Sequence, residues 1–169
     1  MCRHGRRSRC RHDYPQRGEF AHGFTYSGHP VSAAVALENL RIIDEEHLIE
    51  NAGNVGAYLQ ACLHHLEDHP LVGEVRGVGL LGAIELVQCK SPRQFFSPLG
   101  EVGTRCRNHC FANGLVMRAV RDTMIISPPL IFTRAHVDEL ISKARIALDL
   151  TLADLEATSP KDINHAPIS

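Results

Sequence analysis

Apolar residues along this chain change their spacing several times, and each change marks an element. Leu48, Ala52, Val55, Leu59, Cys62, Leu63 and Leu66 recur at steps of three and four, which predicts a helix that buries one face and stops before Pro70. Ahead of it, Val31, Ala34, Val35 and Leu37 form the apolar side of another helix running to about Asp44. Pro30 sits in its first turn, where a missing N–H costs nothing, and Ser27 or Gly28 can cap it. Residues 73–87, GEVRGVGLLGAIELV, lose the helical period and are β-branched and punctuated by glycine, so they read as a strand or a bent strand pair.

The pattern returns to helical at Leu99, Val102, Cys106 and Cys110, up to Asn113, with Gly114 placed for a left-handed C-terminal cap. Two short apolar runs, 115–120 and 123–127, flank Arg121-Asp122 and predict a tight hairpin, ended by Pro128-Pro129. Thr133 caps a last helix whose inner face is Val137, Leu140, Ile141, Ala144, Leu148 and Leu152. The order helix, helix, strands, helix, hairpin, helix predicts an α+β domain, with helices packed on one face of a small, mainly antiparallel sheet.

The two ends differ from this body. Residues 1–17 hold six arginines and almost nothing apolar, so they read as a disordered basic arm. Cys2, His4, Cys10 and His12 raise a zinc alternative, but their Cys-x-His spacing is unlike the usual zinc-ligand pairs. A nuclear-localisation or nucleic-acid patch is the other use of such a run, and it lacks interleaved aromatics. From Glu156 to Ser169 the chain turns polar and is expected to fray. The domain proper is therefore 18–155.

Composition narrows the function classes. With 169 residues and 44% apolar content the chain can bury a core, and a net charge of −1 provides no field to attract nucleic acid or an anionic membrane. The longest apolar runs fall well short of the roughly 18 to 20 residues that cross a bilayer. Six cysteines lie mostly on apolar or helical stretches with no secretory leader ahead, which predicts reduced thiols in the cytoplasm. His65 and His69 are four apart and Cys106, His109 and Cys110 are clustered, yet helix-end histidines and core thiols account for both groups without a metal.

One stretch asks for a different explanation. In GFTYSGHP, residues 23–30, three hydroxyl side chains stand between two glycines at the mouth of a helix. Taken alone, this is either a capping turn or a cradle for a phosphate dianion, since hydroxyl and backbone N–H donors at a turn suit both.

The segments GEFAHGFTYSGHPVSAAVALENLRII, VRGVGLLGAIEL and GLVMRAVRDTMIISPPLIFTRAHVDELI, in that order, resemble the C-terminal part of the class III pyridoxal-phosphate aminotransferases, the omega-transaminase group. The resemblance implies the small C-terminal domain of a fold-type I enzyme. It also implies pyridoxal 5'-phosphate shared across a homodimer or larger assembly, and transfer of an amino group from an amine or amino acid to a keto acid. Thr25 matches the threonine that contacts the cofactor phosphate bound mainly by the neighbouring subunit. Arg118 matches the arginine that binds the substrate carboxylate, a task for which a planar guanidinium is suited. Arg121 departs from the glycine expected before Asp122 and adds a competing guanidinium.

The family's Schiff-base lysine has no match among Lys90, Lys143 and Lys161, so no catalytic residue is assigned and the chain alone is expected to be inactive. The basic arm does not match what the family carries there; a truncated or frame-shifted product, or a fusion, would account for it. The alternative function is a non-catalytic assembly module that docks onto an intact aminotransferase subunit.

Overall fold

The computed structural model describes Gly23 and residues 25–158. The basic arm, the zinc alternative within it, Lys161 and most of the polar tail lie outside the described residues. The chain divides into two compact units, residues 1–42 and 43–169.

In the first unit a turn over 25–28 leads into α1, Pro30–Glu45, and Pro30 is the first helical residue as the sequence predicts. The cap position falls on His29, later than the expected Ser27 or Gly28, and its carbonyl accepts the N–H of Ala33 at 2.9 Å. No residue of α1 is buried, and Val31, Val35, Leu37 and Leu40 are all more than half exposed. The apolar stripe read from the sequence is present, but it is not part of this chain's core.

The second unit is the α+β body. Leu48–His64 forms α2, extended by a short 3-10 turn at His65–Asp68, and the chain then enters β1, Val72–Val78, and β2, Leu81–Leu86. The glycine-punctuated run is thus a hairpin, turned at Gly79 with φ +55. A two-residue ribbon follows, β3 at Cys89–Lys90 and β4 at Arg93–Gln94, which the sequence reading did not anticipate because two-residue strands leave no periodicity. Next come α3, Glu101–Ala112, then β5, Arg118–Val120, β6, Thr123–Ile126, and α4, Arg134–Thr158. Leu99 lies ahead of α3 and is exposed, because Gly100 with φ +94 prevents the helix from starting earlier. The last helix runs to Thr158, past the expected limit at Leu155.

The main sheet is antiparallel throughout, in the order β1-β2-β6-β5. Alternation along the strands gives it two different faces. Val75, Ile84, Leu86, Met124 and Ile126 point into a core completed by Leu59 and Leu63 of α2, Cys106 and Cys110 of α3, and Val137 and Leu148 of α4. The opposite face carries Arg76, Ala83, Ile125 and Arg118 in one cross-strand row, and Glu74, Glu85, Thr123 and Val120 in the next.

Specific contacts fix the helices on the inner face. Gly56 of α2 lies so close to the Gly79 turn that a Cβ would sit 2.6 Å from the Gly79 backbone. Gln60, one turn on, donates from Nε2 to the carbonyls of Gly79 and Leu81 at 2.7 and 3.0 Å. Asn51 donates to the carbonyls of Leu130 and Phe132, Tyr58 donates to Asp138 at 2.6 Å, and Arg145 makes a two-point pair with Asp68. The expected Thr133 cap is formed, with its hydroxyl accepting the His136 N–H at 3.3 Å.

His69 is buried between the 3-10 turn and α4. Its Nδ1 accepts the Leu71 N–H at 3.2 Å, so the proton belongs on Nε2, which faces Asp149 Oδ1 at 3.3 Å. Burial holds its pKa below the ordinary histidine value, although the exposed Asp149 carboxylate opposes this.

Two predictions follow from these contacts. Gly53→Ala, where an added Cβ meets nothing within 4 Å, should gain about 0.5–1 kcal/mol of helix stability. Gly56→Ala should lose more than about 2 kcal/mol, because backbone must move to admit the methyl group; urea unfolding of both variants reads the contrast. For His69, the unfolded chain binds the proton more readily than the folded one. Stability is therefore complete above the ordinary histidine pKa of about 6.5 and falls as pH drops through the lower folded value. His69→Gln should flatten that decline in thermal melts recorded between pH 7 and 5.

Candidate functional site

Charge and exposure, taken together, single out the β5–β6 hairpin. Among the described residues, seven arginines have partners: Arg41 with Glu38, Arg76 with Glu85, Arg93 with Glu74 and Glu85, Arg105 with Glu101, Arg107 with Asn108, Arg134 with the Tyr58 ring, and Arg145 with Asp68. Arg118 and Arg121 have none, and both belong to the hairpin. An exposed guanidinium with five donors and no acceptor nearby is prepared to take an anion from outside the chain.

Arg118 begins β5 at the sheet's edge, paired in register with Ile125 on the outer face. Its position depends on the turn that follows. Arg121 has φ +54 and Asp122 is 4% exposed. The Asp122 carboxylate accepts the N–H groups of Gly100 and Gly103, each at 2.8 Å, and so caps the N-terminus of α3, which has no capping side chain of its own. The Asp122 carbonyl accepts the Leu86 N–H at 2.8 Å. Gly103 is required by contact, since a Cβ there would overlap the Arg121 carbonyl and stand 2.9 Å from Asp122 Cα. One residue thus joins the hairpin, β2 and α3. The sequence reading missed this clamp, although the early-helix glycines and the turn aspartate were its signal.

By the β5–β6 turn lies an open cavity of about 230 Å³, lined by Glu85, Phe95, Leu99, Val120, Arg121, Asp122 and Thr123 but not by Arg118. Glu85 is already engaged by Arg76 at 3.1 Å and Arg93 at 2.6 Å, and the Arg93 guanidinium also lies over the Phe95 ring at 5.7 Å from its centre.

Thr25 stands in the first unit, in the turn closed by the His29 N–H on the Tyr26 carbonyl at 3.2 Å, with Gly28 at φ +75. Its side chain is exposed and makes no hydrogen bond among the described residues, so it is not consumed by capping α1. The two described lysines are committed to structure. Lys90 Nζ donates to the Glu67 carbonyl at 2.6 Å, and Lys143 Nζ pairs with Glu139 at 2.5 Å and reaches the Gly114 carbonyl.

His109 Nε2 is 2.7 Å from Asp154, and no group of three or more metal-ligating side chains occurs among the described residues. Cys106 and Cys110 are both buried, and the contact between their sulfurs pushes the Cys110 thiol up and the Cys106 thiol down. No described helix is long and apolar enough to cross a membrane.

The hairpin geometry can be tested directly. Asp122→Ala should cost about 2–3 kcal/mol, since it strands one buried and one half-buried N–H donor. Arg121→Gly should stabilise by about 0.5–1 kcal/mol, because glycine enters the left-handed region without the Cβ penalty. Chemical denaturation midpoints of the two variants should move in opposite directions.

Comparison with known proteins places this geometry in context. The family profile described as aminotransferase class-III matches residues 10–148. The putrescine–pyruvate aminotransferase of Pseudomonas aeruginosa is 60% identical over 139 residues, covering 82% of this chain and 30% of the relative. A mitochondrial gamma aminobutyrate transaminase of Solanum lycopersicum is 43% identical over 124 residues, covering 73% of this chain and 24% of the relative. Among solved structures, the omega transaminase from Pseudomonas jessenii in complex with PMP superposes with a TM-score of 0.76 at 41% identity, covering 86% of this chain and 32% of that one. The chain spans about 30% of the length of the relatives it matches. A match over most of its own residues, at this identity and with this structural similarity, shows that the chain belongs to the class III aminotransferase family.

Proposed function

We propose that residues 18–155 form the small C-terminal domain of a pyridoxal-phosphate-dependent aminotransferase, which moves an amino group from an amine or amino acid to a keto acid. The observation that carries this reading is Arg118, an exposed guanidinium with no partner among the described residues, fixed on the outer face of the sheet by the Asp122 clamp. Its role is to hold the carboxylate of the amino or keto acid by a two-point, charge-assisted contact.

The residues fit one end of the cofactor. A phosphate dianion is met by hydroxyl and main-chain donors, and Thr25 presents an unengaged hydroxyl in a turn whose Gly28 keeps the main chain free of a side chain. Thr25 would therefore hold the phosphate, in a site shared with a second aminotransferase subunit. When bound, pyridoxal phosphate supplies the electron sink that amino transfer requires. Lys90 and Lys143 do not suit the amine-bearing role, because each is tied to backbone and carboxylate oxygens. What this chain contributes is binding and orientation, of the phosphate through Thr25 and of the substrate carboxylate through Arg118.

The reading includes a cytoplasmic setting, supported by the bacterial relative, although plant relatives carry mitochondrial and chloroplastic names. A second reading, an assembly module that docks onto an intact aminotransferase subunit, is favoured by the exposed Val31, Val35, Leu37 and Leu40 of α1.

Mixing the 169-residue chain with pyridoxal phosphate and alanine should yield no pyridoxamine phosphate by absorbance or mass spectrometry. Accumulation of pyridoxamine phosphate would place the reactive amine in this chain and overturn the division of roles. Supplying the chain to an aminotransferase subunit of the same family, followed by size exclusion, tests the second reading: elution of the chain by itself overturns the assembly module.

A further inference from the structure

β1 is an edge strand whose sequence matches itself when reversed. At seven residues it is the longest strand of the main sheet, and β2 is its only partner there. Residues 73–78 make no backbone hydrogen bond outside the β1–β2 ladder among the described residues, so a row of N–H and C=O groups faces outward unpaired. Edge strands commonly guard such a row with charges of one sign, which meet their own kind when two copies approach. This edge does the reverse. Residues 72–78, VGEVRGV, read the same in both directions apart from Glu74 and Arg76. An antiparallel two-fold centred on Val75 therefore sets Val75 against itself, Gly73 against Gly77, and Glu74 against Arg76 of the second copy. Glu74 and Arg76 lie on the outer face and Val75 on the inner one, so both faces of the sheet continue across the join. The register shift between Val72 and Glu74 makes Gly73 the bulge residue, and with no side chain it commits to neither face. Beyond it the match ends, because Val72 is buried and Val78 is 74% exposed.

The two charged residues also have bonding capacity to spare. Arg93 and Arg76 both approach Glu74 at Oε2, and Arg76 uses Nη1 for Glu85 and Glu74 alike. Glu74 Oε1 and Arg76 Nη2 make no bond among the described residues. We propose that β1 is a self-association edge, which pairs antiparallel with β1 of a second copy of this chain over residues 73–77 and joins two four-stranded sheets into one. The spare carboxylate oxygen and guanidinium nitrogen then face each other twice, once on each side of the two-fold. This interface uses neither Thr25 nor Arg118, and it stands apart from the roles proposed for them. A five-residue pairing buries less than the roughly 1,000 Å² of a stable interface, so the association is weak and grows with concentration.

The full 169-residue chain is followed by amide hydrogen exchange and sedimentation velocity from micromolar to millimolar concentration. Exchange within residues 73–77 should slow several-fold as dimers form, while β5, at the other edge of the same sheet, keeps its rate. An unchanged rate at residues 73–77 overturns the proposal, including where dimers form through another surface such as α1. Charge exchange then tests the register. Glu74→Arg and Arg76→Glu each set like charges across the two-fold, and each variant alone should sediment as a monomer. Mixed in equal amounts, the two variants bring opposite charges together at both positions and should form a mixed dimer. The double exchange Glu74→Arg with Arg76→Glu should regain self-association. A dimer that survives either single change, or a mixture that stays monomeric while both variants are folded by circular dichroism, overturns the pairing. The exchange result on the parent chain decides the question whether or not the variants fold.

Discussion

The carboxylate of Asp122 is the contact on which the β5–β6 hairpin and its site depend. It accepts two N–H groups at the start of α3, while its own carbonyl completes the ladder to Leu86 at the end of β2. A helix N-terminus with free donors and a partial positive charge is a costly thing to bury, and a buried aspartate with no partner is costlier still. Each satisfies the other. Because the two groups come from segments about twenty residues apart in the chain, their pairing also sets where the hairpin lies relative to the helix.

That placement divides the sheet's labour. The inner face holds the apolar side chains that α2, α3 and α4 cover, while the outer face holds two rows that mix charged, polar and apolar groups. Glu74, Arg76, Glu85 and Arg93 satisfy one another at the β1–β2 side. At the β5 side no carboxylate is offered to Arg118 or Arg121 by the described residues. The imbalance is local: the chain as a whole is close to neutral, so the proposed anion contact at Arg118 rests on where charges are left unpaired and not on net charge.

Close approach between backbones is the second constraint. Gly56 against Gly79, and Gly103 against Arg121, let a helix contact a turn directly at two places on the body. Both contacts are reinforced by side-chain hydrogen bonds from one partner, Gln60 in the first and Asp122 in the second. A glycine without a bonding neighbour would give proximity but no register; the two together give both.

Much of this was legible in the chain itself. The three- and four-residue recurrence of Leu59, Leu63 and Leu66, the Thr133 cap, the Gly114 stop and the Arg121-Asp122 turn are local features, set by backbone preference and by the period of burial, and the structure has each of them. The resemblance carried by residues 18–155 likewise pointed to the family. Tertiary structure alone decided the rest. The apolar stripe of α1 looked like core and is exposed, because periodicity says that a face seeks cover but not where the cover comes from. His69 read as a helix-end histidine and proved to be buried, since its environment is made by α4, some eighty residues later. Asp122 read as a turn residue and is a helix cap in trans to its own hairpin. Arg118 and Arg121 became distinct from the other described arginines only when every other one had found its partner, and pairing across a fold is a property of distances that spacing along a chain does not contain.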